Sequence, residues 1–159
     1  ITSANGTTGT TANNVLTGGT GADVFVFGDT SAAASATVFN TINGFATASD
    51  VINYSDALTI VTDATAAVAG KATTSAAGVA TFVAADDTLA ERIIATEASI
   101  ATGTATSGQV AMFQFGADAY VFISNGTDGV GAGECAVDIT DSGASDAAAD
   151  VDPAGAVVA

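Results

Sequence analysis

Histidine and tryptophan are absent from this sequence, and cysteine and proline occur once each. Without histidine, the chain has no imidazole for acid–base chemistry, no Ser-His-Asp triad and no His-ligated zinc site. A single cysteine excludes a disulfide within the chain. Cys135 lies in an apolar stretch, which is more typical of a small buried hydrophobic residue than of a redox centre.

Basic residues are also scarce, because two Lys or Arg stand against seventeen Asp or Glu, giving a formal net charge of -15. This excess of negative charge argues against nucleic acid and anionic membrane surfaces as partners, and it favours bound cations. No apolar run approaches the roughly 18 residues that a transmembrane helix needs. The scarcity of Lys, Arg and Cys among many small uncharged residues indicates a secreted surface protein.

The sequence does contain a glycine-rich turn followed by a strand. Residues 18 to 26 fit the pattern G-G-x-G-x-D-x-U-x at every specified position, and this pattern describes a calcium-binding turn. Gly18, Gly19 and Gly21 let the backbone turn so that its carbonyl oxygens can face a cation, and Asp23 adds an anionic oxygen. A plain glycine-rich hairpin is the alternative interpretation of the same residues.

Weaker copies of this unit precede it. Residues 9 to 17 align as a degraded repeat in which Asn14 replaces the aspartate, and Asn5 takes that place one unit earlier. Because successive units alternate between the two sides of such a roll, we expect Asp23 to stack against the Asn5 turn. Neither asparagine brings a carboxylate, so the sequence predicts a weak calcium site.

Residues 39 to 53 carry a resemblance to a known family. The segment Phe39-Asn-Thr-Ile-Asn-Gly-Phe-Ala-Thr-Ala-Ser-Asp50-Val-Ile-Asn53 resembles the D-x-I-x-D-F-x-x-x-x-D-x-I-D segment that closes the calcium-binding rolls of RTX (repeats-in-toxin) proteins. Asn40, Asn43 and Asn53 stand where the family has aspartates, and Asp50 is the carboxylate that is kept. The resemblance implies Asn43 and Asp50 as further calcium ligands, since amide oxygens also ligate calcium but without the charge that sets most of its affinity.

Residues 113 to 129 carry a second and more discriminating resemblance. Phe113-Gln-Phe-Gly-Ala-Asp-Ala-Tyr-Val-Phe-Ile123, followed by Asn-Gly-Thr-Asp-Gly, is similar to the C-terminal domain of RTX surface-layer proteins and related type I-secreted proteins of Gram-negative bacteria. With the preceding helix and roll, the resemblance covers most of residues 9 to 140. It implies Ca2+ as cofactor and a place outside the cell or on the bacterial cell surface. The implied partners are copies of the chain itself and, as a further candidate, cell-surface polysaccharide.

Local signals predict the elements of the second half. Thr88 and Glu91 form a capping box ahead of apolar residues on one face, which predicts a helix over residues 87 to 101. Asp86 and Asp87 suit the positive end of that helix without any metal.

Hairpins are predicted over residues 71 to 83 and 110 to 124, and the second should be buried because both of its faces are apolar. A short helix around residues 64 to 69 and a last strand over residues 134 to 140 complete the expectations.

These features predict a mainly β protein with one packed helix. A partial calcium-binding β-roll over residues 1 to 35 should lead into a small β-sandwich-like C-terminal capping or assembly domain over residues 36 to 140. Residues 141 to 159 form an acidic tail, expected either to be disordered or to act as a type I secretion signal.

Two function classes follow from the sequence. The first is a non-enzymatic extracellular structural protein that self-assembles into a surface layer or filament with calcium-stabilised turns. The second is the C-terminal calcium-binding and secretion module of a larger exported hydrolase or adhesin. An enzyme within these residues is disfavoured, because no second carboxylate is convincingly placed with Asp23 or Asp50 for acid–base chemistry.

Overall fold

A computed structural model of the chain describes residues 2–5, 13–27, 34–46, 49–54, 56–101, 105–131 and 134–140. The predicted tail over residues 141 to 159 lies outside these residues. In the described part, the prediction of a mainly β protein with one helix is confirmed. The elements are β1 Thr2–Asn5, β2 Val15–Thr17, β3 Val24–Phe27, β4 Asn40–Asn43, β5 Val51–Tyr54, β6 Thr59–Ile60, β7 Thr73–Thr74, β8 Ala80–Thr81, α1 Leu89–Ile100, β9 Ser107–Phe115, β10 Asp118–Asn125 and β11 Cys135–Thr140.

The first five strands alternate between two sheets. One sheet is parallel and three-stranded, in the order β1-β3-β5. The other is six-stranded, in the order β2-β4-β11-β10-β9-β6, with β2 and β4 parallel at one edge. The chain therefore winds from one sheet to the other and back. The domain boundary expected at residue 35 falls inside this winding, because β4 and β5 continue the sheets that β1 to β3 begin.

A short sequence pattern marks each of the strands β2 to β5. An asparagine or aspartate stands at the start, and the residue two positions later is apolar and packs into the core between the sheets, because side chains alternate along a strand. The inward residues are Leu16, Phe25, Ile42 and Ile52. The winding is thus stabilised by burial of these side chains against the opposite sheet, and β3 and β5 each add a second one, Phe27 and Tyr54.

The hairpin of β9 and β10 lies inside the six-stranded sheet, and most of its residues are buried, as its sequence predicts. Its alternate residues enter two different cores, so that Val121 faces the three-stranded sheet and Phe122 faces the helix side. The last described strand, β11, lies between β4 and β10, parallel to the first and antiparallel to the second. Both faces of this sheet are therefore covered, which explains the nearly continuous apolar sequence of its central strands.

Helix α1 covers the second face of the large sheet. The predicted capping box is present, with the Thr88 backbone N–H donating to Glu91 Oε2 at 3.0 Å and the Glu91 N–H donating to Thr88 Oγ1 at 3.3 Å. Ile93 and Ile100 are buried in the core beneath the helix. The helix prediction is confirmed, with ends one or two residues inside the expected ones. No helix of the described residues is apolar enough over enough residues to cross a membrane.

The short helix predicted around residues 64 to 69 is wrong. Asp63 draws the chain into a turn, because its Oδ1 accepts the Thr65 N–H at 2.8 Å and its Oδ2 pairs with Lys71 Nζ at 3.0 Å. Val68 then bridges to Lys71 through two backbone hydrogen bonds, and Gly70 adopts a positive φ of 78°. These contacts bend the chain more tightly than a helix permits.

Candidate calcium site at the start of β3 and β5

Asp23 and Asp50 lie beside each other, immediately before two paired strands. Because Val24 pairs with Val51, the aspartates hold equivalent positions on β3 and β5. The Asp23 N–H donates to Asp50 Oδ1 at 3.0 Å, and the Val51 N–H donates to the Asp23 carbonyl oxygen at 2.9 Å. Both aspartates are buried, with 5% and 1% of their surfaces exposed. The winding thus stacks two buried carboxylates.

Asp50 also ties together the turn that precedes it. Its Oδ2 accepts the Ala46 N–H at 2.9 Å, which closes the loop between β4 and β5. The neighbouring Ser49 hydroxyl donates to the Gly21 carbonyl oxygen at 3.2 Å, linking this loop to the glycine-rich turn. One carboxylate therefore organises two consecutive turns of the winding.

Each position of the motif that holds a glycine requires it for a physical reason. A Cβ on Gly18 would lie 2.7 Å from Asp23 Oδ2 and 3.1 Å from the Phe25 ring, so only glycine leaves this space open. Gly19 and Gly21 have φ angles of 120° and 113°, which L residues rarely adopt. The backbone is therefore shaped around the Asp23 carboxylate.

An equivalent pair stands at the start of β2 and β4, with amides in place of carboxylates. Asn14 Nδ2 donates to Asn40 Oδ1 at 3.0 Å, and the Thr41 N–H donates to the Asn14 carbonyl oxygen at 2.8 Å. Asn40 Nδ2 in turn donates to the Sγ of Cys135, which is buried as its sequence context predicts. An amide both donates and accepts, so this pair satisfies itself, whereas ionised carboxylates only accept. Of these two stacked pairs, the one formed by Asp23 and Asp50 is therefore the one that carries negative charge.

Two expectations about this site are wrong. Asn5 pairs with Phe27 and not with the position of Asp23, so the Asn5 turn is not the partner of Asp23. The partner is Asp50, which supplies the second carboxylate that the sequence was not expected to place there. The signal lies in the repeated strand starts, since Asp23-Val-Phe-Val-Phe and Asp50-Val-Ile-Asn-Tyr share an aspartate, a valine and the same alternation. This signal is hard to recognise in the sequence, because the coil between Asp23 and Asp50 is longer than two nine-residue units.

Asn43, the sixth predicted ligand, is placed differently. It lies on β4 in the six-stranded sheet, paired with Thr17 and Thr140, on the face opposite to Ile42. Among the described residues, no hydrogen bond joins it to Asp23 or Asp50. The structure thus brings together Gly18, Gly19, Gly21, Asp23 and Asp50, and leaves Asn43 on another face.

The residues present fit a calcium ion. Calcium takes six to eight oxygen ligands with flexible geometry, from carboxylates, backbone carbonyls and water. Asp23 and Asp50 supply the anionic oxygens, and the missing Cβ of Gly18 makes room for the Asp23 carboxylate itself. The described residues hold no cluster of three or more His, Cys, Asp or Glu side chains suited to a metal, so carbonyls and water would complete the shell.

Replacing Gly18 by alanine tests the space beside Asp23. Since the new Cβ would lie 2.7 Å from Asp23 Oδ2, the carboxylate must move, and we expect calcium affinity to fall about tenfold, or about 1.4 kcal/mol. Calorimetric titration measures the change. Gly131→Ala is the matched control, because its Cβ would meet nothing closer than 3.6 Å. Equal affinities for the two variants would show that Asp23 is not a ligand.

A second pair of buried carboxylates, which the sequence did not reveal, lies at the loop before β11. Glu97 Oε1 accepts the Gly129 N–H at 2.9 Å, and Glu134 Oε2 accepts the Gly131 N–H at 2.7 Å. Burial raises the pKa of Glu134 from 4.5 to about 7, and the nearby Glu97 carboxylate adds to this shift. Burial likewise raises the pKa of Glu97.

Comparison of the chain with protein-family models, curated proteins and solved structures finds no match.

Proposed function

We propose that this protein is a non-enzymatic extracellular structural subunit that binds calcium at its stacked turns and self-assembles into a surface layer or filament. The observation that carries the proposal is the buried pairing of Asp23 with Asp50 in a chain of net charge -15. Two adjacent buried carboxylates repel each other unless a cation or a proton neutralises them. A divalent cation neutralises both at once.

Calcium is the cation that this chemistry favours. The available ligands are hard oxygens, and the chain has no histidine, while its one cysteine lies against Asn40 on the opposite sheet. Magnesium demands near-ideal octahedral geometry and keeps several waters, whereas calcium tolerates an irregular shell of carbonyls and carboxylates. Calcium outside cells is millimolar, enough to fill sites with dissociation constants of about 10⁻⁴ to 10⁻³ M.

The open edges of the winding support self-assembly. In the described residues, β1 and β2 are edge strands of their sheets, and Val15 on β2 is 65% exposed. An edge strand offers unpaired N–H and C=O groups to another chain. Copies with a net charge of -15 repel one another, so bound calcium would lower the barrier to their approach.

Electron microscopy of the purified chain with and without calcium tests the proposal. We expect sheets or filaments in millimolar calcium that dissolve when a chelator is added, because removing the cation restores repulsion between the copies. Magnesium at equal concentration is the control and should not replace calcium. Assemblies that persist through exhaustive chelation would contradict calcium-dependent assembly. If the protein binds calcium but stays monomeric, the calcium site is supported and self-assembly is contradicted.

A second candidate function is a calcium-binding and secretion module of a larger exported hydrolase or adhesin. The same open edges at β1 and β2 favour it, because further coils of a longer chain could continue both sheets there. The full-length gene product distinguishes the two candidates. A catalytic or adhesive domain in the same polypeptide would favour the module, and its absence would favour the structural subunit.

A further inference from the structure

A polar group of side chains lies on the face of the six-stranded sheet that is turned away from the three-stranded sheet. Asp138 on β11 pairs with Thr41 on β4 and with Tyr120 on β10, and Thr140 pairs with Asn43. Paired residues and residues two apart on a strand share a face. The group, called the Asp138 cluster below, consists of Thr41, Asn43, Asp118, Tyr120, Asp138 and Thr140.

Asp138 is buried at the centre of this cluster with one oxygen unsatisfied. It is 7% exposed, and its Oδ2 accepts a hydrogen bond from Thr140 Oγ1 at 3.4 Å, with the Thr41 hydroxyl also bonding the carboxylate. Its Oδ1 is buried and has no hydrogen-bond partner among the described residues. An ionised group buried in this way is costly unless an opposite charge neutralises it.

Neither basic side chain of the protein is available as that charge. Lys71 pairs with Asp63 at 3.0 Å, and Arg92 donates to backbone carbonyl oxygens while its guanidinium lies over the Phe82 and Phe115 rings. Asp118 instead brings a second negative charge close to Asp138. Burial, together with the Asp118 carboxylate, raises the pKa of Asp138 to about 6. The cluster therefore collects negative charge and oxygen atoms without a counter-ion.

We infer that the Asp138 cluster is a second cation site, in which the Asp138 and Asp118 carboxylates bind calcium together with neighbouring hydroxyl and amide oxygens. Two carboxylates with neutral oxygens are the ligand set that calcium prefers. The site is separate from Asp23 and Asp50, because these precede strands of the other sheet. Asn43 lies away from the glycine-rich turn, but in this cluster its amide oxygen would be a ligand, because Asn43 is paired with Thr140 at the cluster's edge.

Terbium luminescence provides the test, because Tb3+ occupies calcium sites and is excited by a nearby tyrosine. The chain has two tyrosines and no tryptophan, and Tyr120 lies opposite Asp138, whereas Tyr54 lies on the strand that follows Asp50. In the Asp50→Asn background, we expect sensitised Tb3+ emission that Asp138→Asn or Tyr120→Phe removes and Tyr54→Phe retains. Emission that survives Asp138→Asn would overturn the inference.

Calcium titration followed by native mass spectrometry separates this site from the first one. Asp138→Asn is expected to lose one bound ion, or to bind it more weakly by about tenfold or more, because calcium affinity follows the charge of its ligands. Asp118→Asn, at a partly exposed position, should weaken the same ion with little risk to folding. Asp87→Asn is the control, since it makes the same charge change at an exposed turn.

The effect of calcium on stability distinguishes an Asp138 that binds calcium from one that has only a structural role. Without calcium, Asp138→Asn should be as stable as the parent or more stable, because it removes a buried charge, and in calcium it should become the less stable of the two. An unchanged ion count with the same order of stability in both conditions would show that a shared proton, not calcium, neutralises Asp138. If Asp50→Asn loses a bound ion and Asp138→Asn does not, calcium binds beside Asp23 and Asp50 and not at the Asp138 cluster.

Discussion

Asp50→Ala is expected to destabilise the protein by about 3 to 5 kcal/mol even when calcium is absent. The substitution leaves the buried Asp23 N–H without its acceptor, which costs about 1 to 3 kcal/mol, and it removes the charge-assisted bond to the exposed Ala46 N–H, which contributes about 1.5 to 3 kcal/mol. The substitution also removes the side-chain link between the loop that precedes β5 and the Asp23 backbone. Urea denaturation in a chelator, followed by circular dichroism, measures the effect.

Asp50→Asn separates the structural role of this side chain from its role as a ligand. Its side-chain oxygen can still accept one of the two N–H groups, so we expect a smaller loss in chelator than for Asp50→Ala. Calcium should stabilise the parent according to its concentration and affinity but stabilise Asp50→Asn much less. Asp87→Asn is the matched control and should gain as much from calcium as the parent does. Equal gains in all three proteins would remove Asp50 from the site.

Glu134→Gln is expected to change the pH dependence of stability by about 3 kcal/mol between pH 4 and pH 8. Glu134 has a pKa of about 7 in the folded protein, above its ordinary value of 4.5. The folded state therefore holds a proton that the unfolded state has released across this window, so stability falls as the pH rises from about 4.5 through 7. Glutamine keeps an acceptor for the Gly131 N–H but carries no charge.

Denaturation of both proteins at several pH values in a chelator tests this expectation. Glu134→Gln should match the parent near pH 4 and exceed it at pH 8, where the parent must keep a buried ionised carboxylate. Glu97→Gln serves as a second variant, because removing that neighbouring charge should lower the pKa of Glu134 and shorten the falling part of the curve. Parallel curves for the parent and Glu134→Gln would contradict the raised pKa.

The elements with local signals were predictable from the sequence. The capping box of Thr88 and Glu91 and the turn Gly116-Ala117 depend on residues close together in the chain, and both stand where they were expected. The helix expected over residues 64 to 69 failed for a tertiary reason, because Asp63 is engaged by Lys71 and by a neighbouring N–H. Propensity in an alanine-rich stretch is weak beside such contacts.

The composition of the candidate site was predictable, but its partners were not. The glycine-rich motif identified Gly18, Gly19, Gly21 and Asp23, since its spacing is a local property. The stacking of Asp23 on Asp50 depends on how many residues each coil of the winding takes, and an irregular coil hides this number. No local pattern in the sequence indicates the other two carboxylate pairs, because only the packed sheet and helix bring their members together. These pairs are Glu97 with Glu134 and Asp118 with Asp138.

The position of β11 has a consequence for the order of folding. In the six-stranded sheet this strand alone lies between β4 and β10, and its first residue, Cys135, contacts Asn40 from 95 residues away in the sequence. The N-terminal winding and the β9–β10 hairpin can each form early, but they join into one sheet only when β11 inserts. Closing so long a loop carries a large entropic barrier, and contacts of this sequence separation slow folding. The pairing of β11 with β4, which closes this loop, is therefore expected to limit the rate of folding.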